Sequence, residues 1–446
     1  MFSKSTCLLW GSNKRYVVTR ILVMFCICAT GVFRLVAILN HLNSPEISTN
    51  TDSCQLYLMA RAFSENDSPY QPIPLMREKY LGITKDGTNP HPSPYPPLAP
   101  LLLSVFVNKM DIVTFDRIWI LSSVLALYLS LFVLLKRYQT SRSRTSWFTS
   151  AFALAILLAF SSTLHADIFF GQMNCHLLLL LVCVWNSLRN DRNLLAGILL
   201  GISLALKPLH FLLFVFLLLK RNWSTLLTSV MVAALLTVLS FLVIGGWEPF
   251  LDYLKKTSEV SNLWMSSVFN LSLPFLLART AHRGSFAITQ IDSGDNLIKQ
   301  IAYPEAPSAL LIVGSVGMGL LILTFCVSAI LKEKSTDLRY FKFALLSVLF
   351  LPVSWSHYAL TAIPLGILFL ARLTSVSAKW KTLLLGLLLF GIIFIEFQAL
   401  MLYWAGLNDF TFITPNVPFI AYMGFQTSLL LSLAAVCIPW EVVVKK

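Results

Sequence analysis

The stretch NTDSCQLYLMARAF, Asn50 to Phe63, with the proline-rich NPHPSPYPPLAP that closes the same segment at Pro100, is the longest polar interruption in an otherwise largely hydrocarbon-compatible chain. Within it, Leu56, Met59, Ala60 and Phe63 recur at helical spacing, the pattern of an amphipathic helix lying in a membrane interface rather than crossing it. Asp52 follows directly on the first apolar run, which places its carboxylate at a membrane surface, facing water or a cavity. Asp52 reads either as the cap of the interfacial helix or as a chemical group, and the two roles do not exclude each other.

Around this segment the composition is that of a membrane protein. Of 446 residues, 57% are hydrophobic and 12% charged, whereas soluble domains use about 25% charged residues. The net charge of +13 does not point to nucleic acid, because the basic residues fall in short clusters between apolar runs, as positive-inside loops do. The eight cysteines are scattered, most inside apolar runs, and read as small buried hydrophobes rather than a disulfide framework or metal site. Cys54 and Cys175 both fall on the outer side, which leaves a bridge between them open.

A span needs about 20 apolar residues. The first is expected from Val17 to Leu39, retained rather than cleaved and entered from the cytoplasm. The first outer loop, 40–116, carries interfacial helices, including Leu98 to Val107, which is too short to span. Spans then follow from Arg117 to Leu135 and from Trp147 to Leu164, and another returns to Arg189 after the polar turn HADIFFGQMN. The run from Leu194 to Leu219 is basic at both ends and interrupted by Lys207-Pro208. Proline breaks the helix there and a lone lysine in hydrocarbon is costly, so two short helices form a hairpin with Lys207 at its outer turn. A span from Ser224 to Ile244 leads into a second outer region, 245–307, and Ser308 to Leu331 returns. Leu345 to Leu370, interrupted at Trp355-Ser356-His357, repeats the hairpin. Leu383 to Trp404 and Pro418 to Trp440 finish the chain. The expectation is an all-α polytopic membrane protein of about twelve spans in one domain, 1–446, with every basic cluster on one side.

With that topology, Asp52, Tyr57, Tyr95, His165, Asp167, Gln172, Asn174, Lys207, His210, Asn270, Arg279 and His357 collect at or just beneath the outer face. Ionisable residues at membrane depth are functional candidates by default. Each also has a plain reading: Lys207 can snorkel to the interface, His165 and Asp167 can be loop residues, and Arg34 either pairs with a carboxylate or lines a cavity. HExxH, CxxC, GxSxG and P-loop motifs are missing, as is the Asp-x-Asp clamp that holds a metal-bound nucleotide diphosphate.

Taken together, TDSCQLYLMARAF, SPY, YPPLAPLLLSVF, GQMNCHLLLLL, AGILLGISLALKPLHFLLFVFLLLKRNW, FNLSLPFLLAR and SWSHYALTAIPL resemble, in order and spacing, the integral-membrane GT-C glycosyltransferases. The closest resemblance is to the polyprenol-phosphate-mannose-dependent glycosyltransferase family 87, over most of the length. The chain departs from that pattern at Asn270-Leu271-Ser272, where the family usually has Asn-Gln-Ser, and before His357, where it has a second polar residue. The resemblance implies a GT-C-type bundle and transfer of a hexose, with mannose the family's usual sugar, from a polyprenyl-phosphate donor to a lipid or glycan acceptor hydroxyl with inversion. It further implies Asp52 as general base and Lys207, Arg279 and His357 as cations for the donor phosphate. Tyr57, Tyr95, His165, Asp167, Gln172, Asn174, His210 and Asn270 then line the substrates, and no cofactor or metal is needed. A bacterial inner membrane with the site on its outer side follows from the family's distribution. The rival class is a transporter or flippase for a lipid-linked sugar or polyanionic lipid, whose substrate site belongs near the bilayer midplane; a ligase moving a whole glycan is a third reading.

Overall fold

Apolar segments in a bilayer must satisfy their own backbone groups, so they fold as helices. The computed structural model describes residues 14–41, 43, 51–83, 93, 95–138, 143–265, 270–281, 287–292, 297–302, 308–373, 380–395 and 426–438. In chain order the first helices are α1 (Lys14–His41), α2 (Asp52–Ser64), α3 (Ile73–Leu81), α4 (Leu98–Val107), α5 (Ile112–Tyr138), α6 (Ser143–Phe160), α7 (Ser162–Phe169), α8 (Asn174–Arg189), α9 (Asn193–Leu206), α10 (Leu213–Leu219), α11 (Trp223–Ile244) and α12 (Trp247–Met265). They continue with α13 (Leu276–Ala281), an antiparallel hairpin of β1 (Ala287–Asp292) and β2 (Leu297–Ala302), α14 (Ala309–Leu331), α15 (Thr336–Leu349), a 3-10 helix (Ser356–Ala362), α16 (Ile363–Leu373), α17 (Trp380–Phe394) and α18 (Thr427–Cys437). Apart from that hairpin, the regular secondary structure among the described residues is helical.

Four helices, α1, α5, α11 and α14, are long and apolar enough to cross a membrane, and α6 with α7 makes a fifth if the bent pair is one span. The other apolar helices among the described residues are shorter, and the stretch 396–425, which holds much of the last two expected spans, lies outside the described residues. The Lys207-Pro208 break is present as expected, but the second limb of its hairpin is α10, only 7 residues long.

The span expected from Trp147 to Leu164 contains an elbow, bent by 83° between α6 and α7. The cause is a run of hydroxyls. Ser161 caps α7, its oxygen accepting the Leu164 N–H, while Ser161, Ser162 and Thr163 donate to the carbonyls of Ile393, Phe394 and Ile392 at 2.5, 2.8 and 3.2 Å. Those are the last carbonyls of α17, which have no partner inside their own helix. One bend thus starts one helix and finishes another. In consequence His165 and Asp167 stand on a helix, not on the polar turn expected there.

The hairpin carrying Lys207 is fixed by close helix contact. A Cβ on Gly197 would lie 2.6 Å from Thr228 Cβ, and one on Gly201 would lie 2.7 Å from Val232 Cβ. The G-x-x-x-G spacing therefore lets α9 lie directly on the backbone of α11, as small residues do between membrane helices. The opposite end of α8 is clamped to α15, where Trp185 Nε1 and Arg189 Nη1 both donate to the Asp337 carboxylate at 3.0 Å.

Candidate functional site

Helix α2 begins one residue earlier than a capping Asp52 would require. Thr51 is the cap, its Oγ1 accepting the Cys54 N–H at 3.2 Å, so the capping role open to Asp52 passes to its neighbour. Asp52 is the first helical residue, and its own N–H donates to the Phe170 carbonyl at 2.8 Å. Its half-buried carboxylate is held by two amides: Gln55 Nε2 donates to Oδ1 at 2.6 Å, and Gln172 Nε2 donates to Oδ2. Removal from water pushes the Asp52 carboxyl up to about 6, with the nearby Lys207 ammonium drawing it partly back.

The loop that meets α2 is Phe170-Gly171-Gln172, and only glycine fits its centre. Gly171 has φ of +64°, and a Cβ there would sit 2.1 Å from Ser53 Oγ. The Trp119 indole donates to the Gly171 carbonyl at 2.9 Å. Loop and helix N-terminus are thereby joined through backbone and side chains at once.

Opposite stands Lys207. It ends α9 in an extended conformation (φ −164°, ψ 117°) that Pro208 enforces on the residue before it. Its Nζ donates to Gln172 Oε1 at 3.3 Å and lies 4.6 Å from the ring centre of Tyr358 and 5.3 Å from that of Tyr95. Two aromatic faces hold the ammonium by cation–π attraction. Tyr95 also donates to Gln172 Oε1 at 3.4 Å. Asp167 is fully buried one step further in, where it accepts from Asn174 Nδ2 at 2.6 Å and Cys175 Sγ at 3.3 Å. The Lys207 ammonium is within electrostatic reach of both carboxylates. Both Cys54 and Cys175 are free thiols, so no bridge joins them.

The structure therefore brings Asp52, Tyr95, Gln172, Lys207, Asp167 and Asn174 into one contiguous polar cluster. His357 borders it. Its ring lies 5.0 Å from Tyr358 and 6.5 Å from Phe170, and its buried Nε2 has no protein partner among the described residues. His210, in the turn after Pro208, is buried with neither ring nitrogen partnered among those residues.

Four expected site residues are engaged elsewhere. The Tyr57 hydroxyl donates to the Met110 carbonyl at 3.1 Å and its ring meets Phe115. His165 Nε2 bonds the Leu158 carbonyl at 2.6 Å and Nδ1 meets Arg34 at 2.9 Å, so Arg34 pairs with a histidine rather than a carboxylate. Asn270 donates to the Pro352 carbonyl and accepts the Ser272 and Ser354 N–H groups, clasping two chain segments. Arg279, fully buried, donates to Gln426 at 3.2 Å. Two contributors were not anticipated. Gln55 stands three residues after Asp52, the spacing that puts two side chains on one helix face, and Tyr358 directly follows His357.

Chemically, the cluster offers a carboxylate poised to take a proton and, across one amide, a cation poised to meet an anion. Among the described residues no three His, Cys, Asp or Glu side chains converge as a metal ion would require.

The chain is similar to known proteins. One relative is the polyprenol-phosphate-mannose-dependent alpha-(1-2)-phosphatidylinositol mannoside mannosyltransferase of Mycobacterium tuberculosis (strain ATCC 25618 / H37Rv), which is 26% identical over 291 residues, 61% of this chain and 60% of its own length. The chain thus matches about three fifths of that relative. The family model of glycosyltransferase family 87 matches residues 94–355, well over half of the 446 residues and a region that contains Tyr95, Gln172 and Lys207. On that match, the chain belongs to glycosyltransferase family 87.

Proposed function

We propose that this protein transfers a hexose, with mannose the first candidate, from a polyprenyl-phosphate donor to a hydroxyl of a glycolipid or glycan acceptor. The observation that carries the reading is the pairing of Asp52 with Lys207 across a single amide, 3.3 Å from the lysine. In the reaction the acceptor O–H gives its proton to the Asp52 carboxylate as its oxygen bonds the anomeric carbon. The bond from that carbon to the phosphate oxygen breaks on the opposite face, and the electron pair leaves with the polyprenyl phosphate. The phosphate gains negative charge, which the Lys207 ammonium stabilises, with His357 beside it. The acceptor must come within hydrogen-bond reach of Asp52, whose side chain is half-buried.

The relative's name supports both the donor and a glycolipid acceptor. The apolar helices support an integral membrane protein, and a bacterial inner membrane with the site on its outer side is part of the proposal. Asp52→Asn tests it. Purified in detergent with no gradient and given a polyprenyl-phosphate mannose, the variant is expected to fold and bind donor but to lose about 10²–10⁴-fold in turnover, the range for removal of a general base. Turnover near that of the unaltered protein would remove Asp52 as base. A wild-type protein that moves the donor across vesicles without cleaving it would instead favour a flippase.

A further inference from the structure

Gln172 is buried, and its one amide reaches both Asp52 and Lys207. The amide nitrogen donates to Asp52 Oδ2, while the amide oxygen accepts from Lys207 Nζ at 3.3 Å and from the Tyr95 hydroxyl at 3.4 Å. This orientation matches every partner to the correct end of the amide: carboxylate to NH₂, ammonium and phenol to C=O. The flipped amide would set its carbonyl against a carboxylate and its NH₂ against a cation, so the surrounding charges choose the orientation. The residue has little freedom to drift. Its backbone N–H donates to the Asp167 carbonyl at 2.9 Å, and the preceding glycine is wedged against Ser53.

Gln55 holds the other carboxylate oxygen. Two amide donors, one per oxygen, fix the plane of the Asp52 carboxylate and leave each oxygen lone-pair capacity for an incoming hydroxyl.

We propose that Gln172 is a positioning residue that aligns the base and the leaving-group cation as one unit, so that a donor seated on Lys207 presents its anomeric carbon to an acceptor already registered on Asp52. The proposal rests on the reading of Asp52 as base and Lys207 as phosphate partner. It goes beyond that reading in giving Gln172 no contact with substrate.

The other titratable groups around the pair are Asp167 on α7, Tyr95 ahead of α4, His357 and Tyr358 on the 3-10 helix, and Cys54 on α2. None of them changes in the variants that test the idea. Gln172→Met keeps the length of the side chain but cannot donate, and its thioether accepts only weakly. Gln172→Glu keeps the shape and the bond to Lys207 but sets a second carboxylate against Asp52. Both are to be measured alongside Asp52→Asn and Lys207→Met, per mole of monodisperse protein, with polyprenyl-phosphate mannose as donor.

The expected result for Gln172→Met is a fall in kcat of about tenfold to a hundredfold, the cost of misplacing reacting groups by about 1 Å, with donor KM unchanged because Lys207 is intact. For Gln172→Glu the expected result is a similar fall in kcat. In addition, the acid limb of the pH profile moves to higher pH, because two adjacent carboxylates hold a shared proton more tightly, and donor KM rises as the introduced carboxylate competes with the donor phosphate for Lys207. A residue that only packs would leave kcat and the acid limb of folded protein where they were. Wild-type kcat in both Gln172 variants, with Asp52→Asn and Lys207→Met inactive, overturns the proposal and leaves the assigned roles standing. An active Asp52→Asn overturns both.

Discussion

Two buried or half-buried lysines show how this chain treats a cation in two ways. Lys342, on α15, is fully buried and fully matched: it lies 3.3 Å from the Glu333 carboxylate and donates to the Ile438 carbonyl at 2.8 Å. Arg339 closes the same knot by donating to the Glu333 carbonyl. Lys207 is held less completely. Its ammonium has one neutral amide oxygen at 3.3 Å and two ring faces, and no carboxylate within 4.0 Å among the described residues. A charge removed from water needs a counter-charge or a full set of hydrogen bonds. Lys342 has both inside the protein, and so serves the fold. Lys207 has its nearest counter-charges, the Asp52 and Asp167 carboxylates, beyond contact distance, and the proposed donor phosphate would supply one in direct contact.

Exchanging each lysine for methionine is the way to break this comparison. Lys342→Met takes the ammonium away from the buried Glu333 carboxylate, and the expected cost is about 3–5 kcal/mol of stability, read as a lower Tm in detergent, with kcat per folded molecule unchanged. Adding Glu333→Gln to it removes the stranded charge and is expected to restore much of that Tm. Lys207→Met is expected to do the reverse: about 10²–10³-fold less turnover, equivalent to about 2.7–4 kcal/mol of lost charge stabilisation, with Tm held or raised. If Lys207→Met lowered Tm as Lys342→Met does while folded protein kept its turnover, the lysine would be structural and the comparison would fail.

A smaller effect sharpens the same picture through pH. The Asp52 carboxyl is raised to about 6, and only its ionised form accepts a proton. Turnover is therefore expected to be half-maximal near pH 6 and to fall about tenfold for each unit below that, as the proton is taken up before the acceptor can supply one. The sign for stability is the reverse of that for activity. A carboxyl raised above its unfolded value favours the fold most when protonated, and that contribution is lost as pH rises through about 6. An acid limb near pH 4, with Asp52 unaltered, would mean that the carboxylate is hydrated in the working enzyme.

How much of this was legible in the sequence depended on how local the cause is. The Lys207-Pro208 break was readable because proline forbids the helix at that residue whatever surrounds it. The G-x-x-x-G of α9 is likewise a local signal, although its partner, α11, is visible only in the fold. The elbow at Ser161 was not readable. The apolar run continues through it, and the bend is set by the orphan carbonyls of α17, some 230 residues away in sequence. The same holds within the site. Thr51 and Asp52 are both good caps by residue type, and which of them caps was decided by the Phe170 carbonyl taking the Asp52 N–H. His165, Asn270 and Arg279 are expected to line the site, yet neighbours remote in sequence engage their polar atoms.

The sequence by itself determined that this is a helical membrane chain and that a helix must break at Lys207-Pro208. Period, proline and charge act on a chain before it folds. Only the tertiary structure decided that Gln172 stands between Asp52 and Lys207 and that the ammonium rests on Tyr95 and Tyr358, because those contacts join segments whose approach is set by packing across the whole bundle.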